Sequence, residues 1–539
     1  LGRGAFLQAA GDARRPPGER LRAVEVATQL FGGLDETAAG ALLRDARPEL
    51  RARTAWSVGV TGAPFLREAL AALLADSAPA VRREAAGALL LRRLELPPEA
   101  VSVWLAALLD DPDLRVRRIA VSLAARLDDA AFGALWARRE TLPPSAQLTL
   151  AFGALRRRPP GALQPDLLEL GLRALPRVAT SSDRLLAVLL LQAGLGHGNF
   201  GAPSRRALAA FEPAAGDDLV RPYAGRIAAA VRPLLRPAEP TLDLEAARLL
   251  AMVRDPAPAT LRVAVNRLGP QTAPGADFHH LAVLARLPAA RSNDVTLRVA
   301  DAVLNLGRKL GPGEPLPVRR WPQSLAEVTA GLAARDPALG AALAGHPRLL
   351  EPAHVPLAAA LPPPDRATAG RRFAILLPTR PQFPWTPELA VLLAAAGEEG
   401  GARTLLRQRA EDAALRPAIL RALAEKPAAD DRDVLLAGLV DPAARDAGLA
   451  GLEKLPPETR GAALAQMLAA LRRALKEPDA RAFRERLAAQ AGRSRGDGFS
   501  VTESTDDPAA CAALYAPLFT WFAGSFPGEA RKLPAAPGP

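Results

Sequence analysis

The chain has 539 residues, 49% of them hydrophobic but only 4% aromatic and with just four Ile, so its apolar content is mostly Ala and Leu, strong helix formers that point to an all-α fold. That length is too great for one ordinary core; it implies about three or four domains, or an array that grows in one dimension. The formal charge of +12 invites nucleic acid, but the Arg pairs at 82–83, 92–93, 117–118, 138–139, 205–206, 371–372 and 472–473 are dispersed among acids, which argues against that partner.

Helical pairs are predicted from about residue 20 to 310, and two of them nearly coincide. "LLADSAPAVRREAAGALL" at 73–90 returns as "LLDDPDLRVRRIAVSLAA" at 108–125, placing Val81-Arg82-Arg83 and Val116-Arg117-Arg118 35 residues apart. A period of 20–50 residues marks a stacked repeat. Within 101–127, Val103, Leu105, Leu108 and Leu109 make the apolar stripe of a first helix, which Asp110-Asp111-Pro112-Asp113 breaks. Asp111 is the predicted N-cap and Pro112 the first helical residue, where its missing N–H is not needed. The second helix buries Val116, Ile119, Ala120, Leu123 and Leu127 and leaves Arg115, Arg117 and Arg118 largely outward. A weaker copy at 40–60 puts Leu50-Arg51 where Val81-Arg82 stands. Two amphipathic helices cannot bury both faces alone, so such pairs stack.

The signature of Asp76, Val81 and Arg82, repeated by Asp111, Pro112, Val116 and Arg117, resembles the HEAT-repeat family, best over 65–94 and 101–128. The resemblance implies an α-solenoid of stacked antiparallel helix pairs that works as a non-enzymatic protein–protein interaction scaffold. On such a fold the Arg column can bridge acids of the next repeat, for which Asp76, Asp110 and Asp111 are candidates. Beyond residue 130 the pattern thins. Asp255-Pro256 leads into Leu261-Arg262-Val263, Asp336-Pro337 follows another helical stretch, and Asp441-Pro442 is followed by Asp446 in the register of the signature Val.

Further along, "LLAVLLL" at 185–191 stops at Gln192, far short of the ~20 apolar residues of a membrane span. Gly196, Gly198 and Gly201 spell G-x-G-x-x-G with Asp217 and Asp218 downstream, but a Leu-rich helix precedes them where a dinucleotide fold needs a strand, and Pro203 follows; we read an inter-helix loop. His279-His280 are read as first-turn residues behind an Asp277 N-cap, because adjacent helical positions point about 100° apart and no third ligand stands near. His197, His346 and His354 are read as surface or turn residues. Pro-rich irregular loops with short helices are predicted over 311–388, where 311–322 and 361–387 break the rhythm and Trp321, Phe383 and Trp385 favour packed loops.

Helical repeats resume over 389–491, and the polar 492–508 reads as a flexible linker whose Arg495-Gly496-Asp497 is a chance match to an adhesion tripeptide. A capping helix over 509–533 offers Leu514, Leu518, Trp521, Phe522 and Phe526, and 534–539 is a disordered tail. Cys511 is a small core residue; as the single Cys it excludes an internal disulfide and a Cys-based metal site. Five Lys among 69 basic residues fit a GC-rich bacterial genome, and a first residue other than Met reads as a processed or excised segment.

No catalytic, cofactor or metal site is predicted. The expected partner is another protein or an adjacent domain of the same parent chain. Two alternatives are carried. Repeats closing on "LYAPLFTWFAGSFPGEARKL" resemble the middle region of large planctomycete-type secreted haem proteins, which implies an extracytoplasmic spacer beside a c-type haem module; without C-x-x-C-H no haem attaches to this chain. A HEAT-like DNA-binding protein or glycosylase is the other.

Overall fold

The computed structural model describes residues 2–93, 96–197, 206–309, 321–503 and 507–534. Among them the regular elements are helices, with no strand, and they fall into two compact units, Leu1–Ala290 and Arg291–Pro539. The first unit holds α1 (Arg3–Gly11), α2 (Pro17–Phe31), α3 (Glu36–Leu43), α4 (Pro48–Thr61), α5 (Leu66–Leu73), α6 (Pro79–Arg92), α7 (Pro98–Leu109), α8 (Leu114–Ala124), α9 (Asp129–Ala137), α10 (Pro144–Arg156), α11 (Pro165–Ala174), α12 (Ser181–Gly194), α13 (Asp217–Val231), α14 (Pro240–Met252), α15 (Pro258–Asn266) and α16 (Pro274–Arg286). Proline at the first helical position opens many of them, which explains how 52 Pro fit an all-α chain.

The even-numbered helices α2 to α16 each pack on the next even one, and α1, α3, α5, α7, α11, α13 and α15 each pack on the helix that follows. This is the layering of an α-solenoid: one row of second helices, all but α10 with a first helix packed behind. Burial follows the 3.6 period, as in α6, where Val81, Ala85, Ala86, Ala88 and Leu89 are buried. The row is close-packed. A Cβ on Gly59 of α4 would sit 2.3 Å from the Ala88 Cβ of α6, so only glycine lets these helices approach so nearly.

The second unit repeats the scheme with α17 (Asn293–Lys309), α18 (Trp321–Ala333), α19 (Ala338–Gly345), α20 (Val355–Ala359), α21 (Pro363–Leu376), α22 (Pro387–Ala396), α23 (Ala402–Arg409), α24 (Arg416–Glu425), α25 (Arg432–Gly438), α26 (Arg445–Glu453), α27 (Gly461–Ala474), α28 (Arg481–Arg495) and α29 (Pro508–Ser525). Here α20, α22, α24, α26 and α28 form the row, and α21, α23, α25 and α27 each pack on the helix that follows.

Several local expectations are corrected. In the 110–113 turn the N-cap is Asp113, whose carboxylate accepts from the N–H groups of Arg115 (2.7 Å) and Val116 (3.2 Å); Asp111 and Pro112 stay outside the helix. The buried stripe of α7 is Val101, Leu105, Leu108 and Leu109, and Val103 points outward, 70% exposed. Arg117 is buried, unlike Arg115 and Arg118. Much of 361–387 is helical, because Pro363 starts α21 and Ala369, Gly370, Phe373 and Ala374 give it a buried face. Trp321 and Phe383 are buried, Phe383 edge-on to Phe373, and Trp385 lies under the Arg409 guanidinium.

At the far end, 492–495 complete α28, and Glu503 is wholly buried, accepting from Arg484 Nε (2.7 Å) and Tyr515 Oη (2.6 Å), so this part of the expected linker is tied down. The Tyr515 hydroxyl is held protonated by burial and by donating to Glu503. The inward face of α29 is Cys511, Tyr515, Leu518 and Phe522, an i, i+4, i+7, i+11 set that turns Leu514 outward. Residues 311–320, 504–506 and 535–539, together with Gly198, Gly201 and Pro203, lie outside the described residues.

Candidate interaction surface

The Arg column of the second helices turns out to be a chain of inter-repeat clamps. Arg51 on α4 donates through Nε to Asp76 Oδ2 (2.7 Å) and through Nη2 to Asp76 Oδ1 (2.9 Å), and Arg82 on α6 does the same to Asp111 at 2.7 and 2.9 Å. The remaining edge of each guanidinium reaches back to its own turn: Arg51 Nη1 to the carbonyl of Asp45 (2.9 Å), Arg82 Nη1 to that of Asp76 (2.8 Å). Each Asp in turn accepts the N–H two residues on, Ala78 for Asp76 and Asp113 for Asp111. One carboxylate therefore shapes its turn and receives the previous repeat. The Arg51 guanidinium holds the Asp76 carboxyl below its ordinary range, and Asp76 raises Arg51. Asp110 takes no part in the clamps; it accepts from the Ser145 hydroxyl.

Arg20 belongs to the same series and was not singled out in the sequence. It donates to Asp45 Oδ2 at 2.6 Å, and it precedes Arg51 by the 31 residues that separate Arg51 from Arg82. The clamp also reappears in the second unit, where Arg416 reaches Ala410 and Glu411 carbonyls and, 25 residues on, Asp441. Asp441 thus keeps the ladder although Asp446 interrupts the apolar register. At the 255 copy the structure shifts the reading by one residue: counting from the helix-opening proline, Thr260 occupies the Val81 register and Leu261 the Arg82 register, and Arg262 is exposed. Asp255 is met instead by Arg232 (2.9 and 2.5 Å) and by Thr260 Oγ1 (2.5 Å).

The ladder breaks at α8. Arg117 sends Nη1 to Asp183 Oδ1 (2.6 Å), 66 residues on, while its buried Nε has no hydrogen-bond partner among the described residues. The next helix of the row, α10, carries Gln147 in the Arg register, with Nε2 donating to the Leu142 carbonyl (2.9 Å). Beside the break, α8, α10 and α12 enclose a groove of about 660 Å³. Its floor is apolar, with Phe152 and Leu155 from α10 and Leu186 and Leu189 from α12, all half-buried; Arg118 and Arg156 stand exposed on its rim. These floor residues were not anticipated, although the run of seven residues at 185–191 with six Leu or Val exceeds what one buried helix face absorbs.

The histidines are structural. Asp277 is not an N-cap, since α16 opens at Pro274; it accepts from Thr272 Oγ1. His279 and His280 are buried mid-helix, their pKa values pushed down by burial to about 3 and about 4, so both are neutral at pH 7; His279 Nε2 lies 2.9 Å from the Leu244 carbonyl. His354 is buried in its turn, both ring nitrogens within 2.9 Å of carbonyls, and His346 lies against Asp301. His197 is likewise shifted down by burial. Gly196 has φ +86° after α12, in a loop. Arg495 pairs with Asp497 at 2.8 Å and covers Phe499. Among the described residues no three His, Cys, Asp or Glu side chains are grouped to hold a metal ion, and no helix is long and apolar enough to cross a membrane.

Residues 37–127 match the family model for HEAT repeats. No curated protein sequence matches the chain. Among solved structures, a chain from a model of the full-length AP-3 complex aligns over 98% of this chain and 95% of its own length at 11% identity, with a TM-score of 0.44. A chain from a study of cadherin and beta-catenin aligns over 91% and 99% at 15% identity (TM-score 0.36), and Kap121p over 97% and 77% at 11% (TM-score 0.28).

Proposed function

We propose that this chain, whose residues 37–127 are HEAT repeats, is a protein-interaction scaffold and not an enzyme. The observation that carries the reading is the contrast within the row of second helices: Arg20, Arg51 and Arg82 are consumed in holding successive repeats together, yet at α8, α10 and α12 an apolar floor rimmed by Arg118 and Arg156, which meet no acid among the described residues, lies open to solvent. An exposed apolar floor ringed by charge is what a protein interface requires, because its centre must lose water and its edge must set the orientation. The clamp that ends on Asp111 fixes the turn that opens α8, one wall of that floor, so the surface loses little conformational freedom on binding.

The test is reconstitution. A candidate partner recovered with the full chain from the source cells should re-form a binary complex from purified components with Kd below about 10 µM, the range of specific association. Failure of every recovered protein to re-form such a complex would remove the scaffold reading.

A further inference from the structure

The groove beside the broken ladder identifies the chemistry of one partner. We infer that the groove between α8, α10 and α12 receives an acidic amphipathic helix of another protein, an inference that rests on the scaffold reading above and names the segment it binds.

Three observations lead there. The first concerns backbone. The walls are the lateral faces of three helices, whose N–H and C=O groups are already bonded within each helix, so an extended segment laid on this floor would find no partners for its own backbone. A helix arrives with those groups satisfied.

The second is shape. Phe152 and Leu155 on α10, and Leu186 and Leu189 on α12, are i, i+3 pairs, which form ridges inclined to their helix axes. Two such ridges leave a furrow between them that suits side chains spaced three and four apart on an incoming helix.

The third is charge. Arg118 has no ion-pair partner among the described residues and Arg156 bonds only the Ser122 hydroxyl (2.8 Å), while Arg117 shares one carboxylate and leaves Nε without a bond. The groove lining contains no acid. In the preceding repeats the clamp arginine has one edge on an internal Asp and the other on turn carbonyls, whereas Arg118 and Arg156, outside that register, meet no acid among the described residues; the carboxylate is supplied by the partner. Glu or Asp flanking the apolar stripe of the guest would lie against Arg118 and Arg156, where planar guanidinium and carboxylate pair bidentately.

A random 16-residue peptide library displayed on phage is selected against the full 539-residue chain, and the enriched consensus is synthesised with a fluorophore. The expected consensus has Leu or Phe at three- and four-residue spacing beside Glu or Asp, becomes helical when bound, and loses at least about tenfold in affinity for the Arg118→Glu/Arg156→Glu variant, since like charges then meet across the rim. Both arginines are exposed, so thermal unfolding of that variant should match the parent. A consensus without acids, a bound peptide that stays extended, or an affinity unchanged in the double variant overturns the groove assignment and leaves the scaffold reading standing. If no peptide is enriched, the groove assignment is overturned; if in addition no protein partner re-forms a complex, both fall.

Discussion

The stretch from α2 to α6 and the stretch from α8 to α12 both carry arginines along the row of second helices but place them to different ends. In the first, Arg20, Arg51 and Arg82 each reach a carboxylate of the following repeat, and the guanidinium becomes an internal fastener. In the second, the residues after Arg117 bring no Asp to the corresponding turn, Gln147 replaces the next arginine, and an apolar floor opens next to unpaired cations. In the clamp register the arginine is fastened by whichever acid the packing brings, Asp76 or Asp111 from the next turn or Asp183 from α12, while Arg118 and Arg156 outside that register stand exposed. The arginine itself does not decide.

The sharpest way to break this comparison is to remove one fastener on each side of it. Arg82→Ala should destabilise the first unit by about 3–5 kcal/mol, because Asp111 is left buried and uncompensated. Arg117→Ala, which removes a single charge-assisted bond and leaves the buried Asp183 still accepting from the Thr180 hydroxyl, should cost about 1.5–3 kcal/mol. Urea unfolding followed by circular dichroism checks the order; equal losses would show that α8 is fastened as firmly as α6.

Acid sharpens the same contrast at smaller amplitude. Asp76 has its carboxyl pKa depressed by Arg51, so its contribution is complete above the unfolded value of about 3.9 and is lost as pH falls through the lower folded value. Thermal midpoints measured from pH 5 to pH 2 should fall, and Asp76→Asn should show a shallower fall from a lower starting point. A variant with the parent's slope would mean that Asp76 does not couple to folding. The smallest effect is expected at the rim: Arg118→Ala should leave stability within about 0.5 kcal/mol of the parent, since no ion pair among the described residues involves it. A larger loss by the same urea assay would make Arg118 a fastener after all.

Much of this architecture was legible from residues. Pro79 and Val81, Ala85 and Leu89 announce an amphipathic helix by position alone, and the return of Val-Arg after 35 residues announces stacking. The N-cap at Asp113 was harder, because the three aspartates at 110, 111 and 113 all have capping chemistry and only the path of the chain selects one. α21 was hidden by three prolines at 362–364, which look like a loop yet end at a helix start. The groove was hidden for a different reason: Phe152, Leu155, Leu186 and Leu189 look like core residues, and only their position beyond the packed seam of α10 and α12 leaves them half-open.

Periodicity and helix-opening prolines determined the secondary structure and the stacking, since both act within a few residues of one another along the chain. Which carboxylate meets which arginine was decided in three dimensions: Arg82 finds Asp111 across 29 residues and Arg117 finds Asp183 across 66, distances over which no local pattern operates. Electrostatic pairing depends on separation in space, and only packing of successive helices sets that separation.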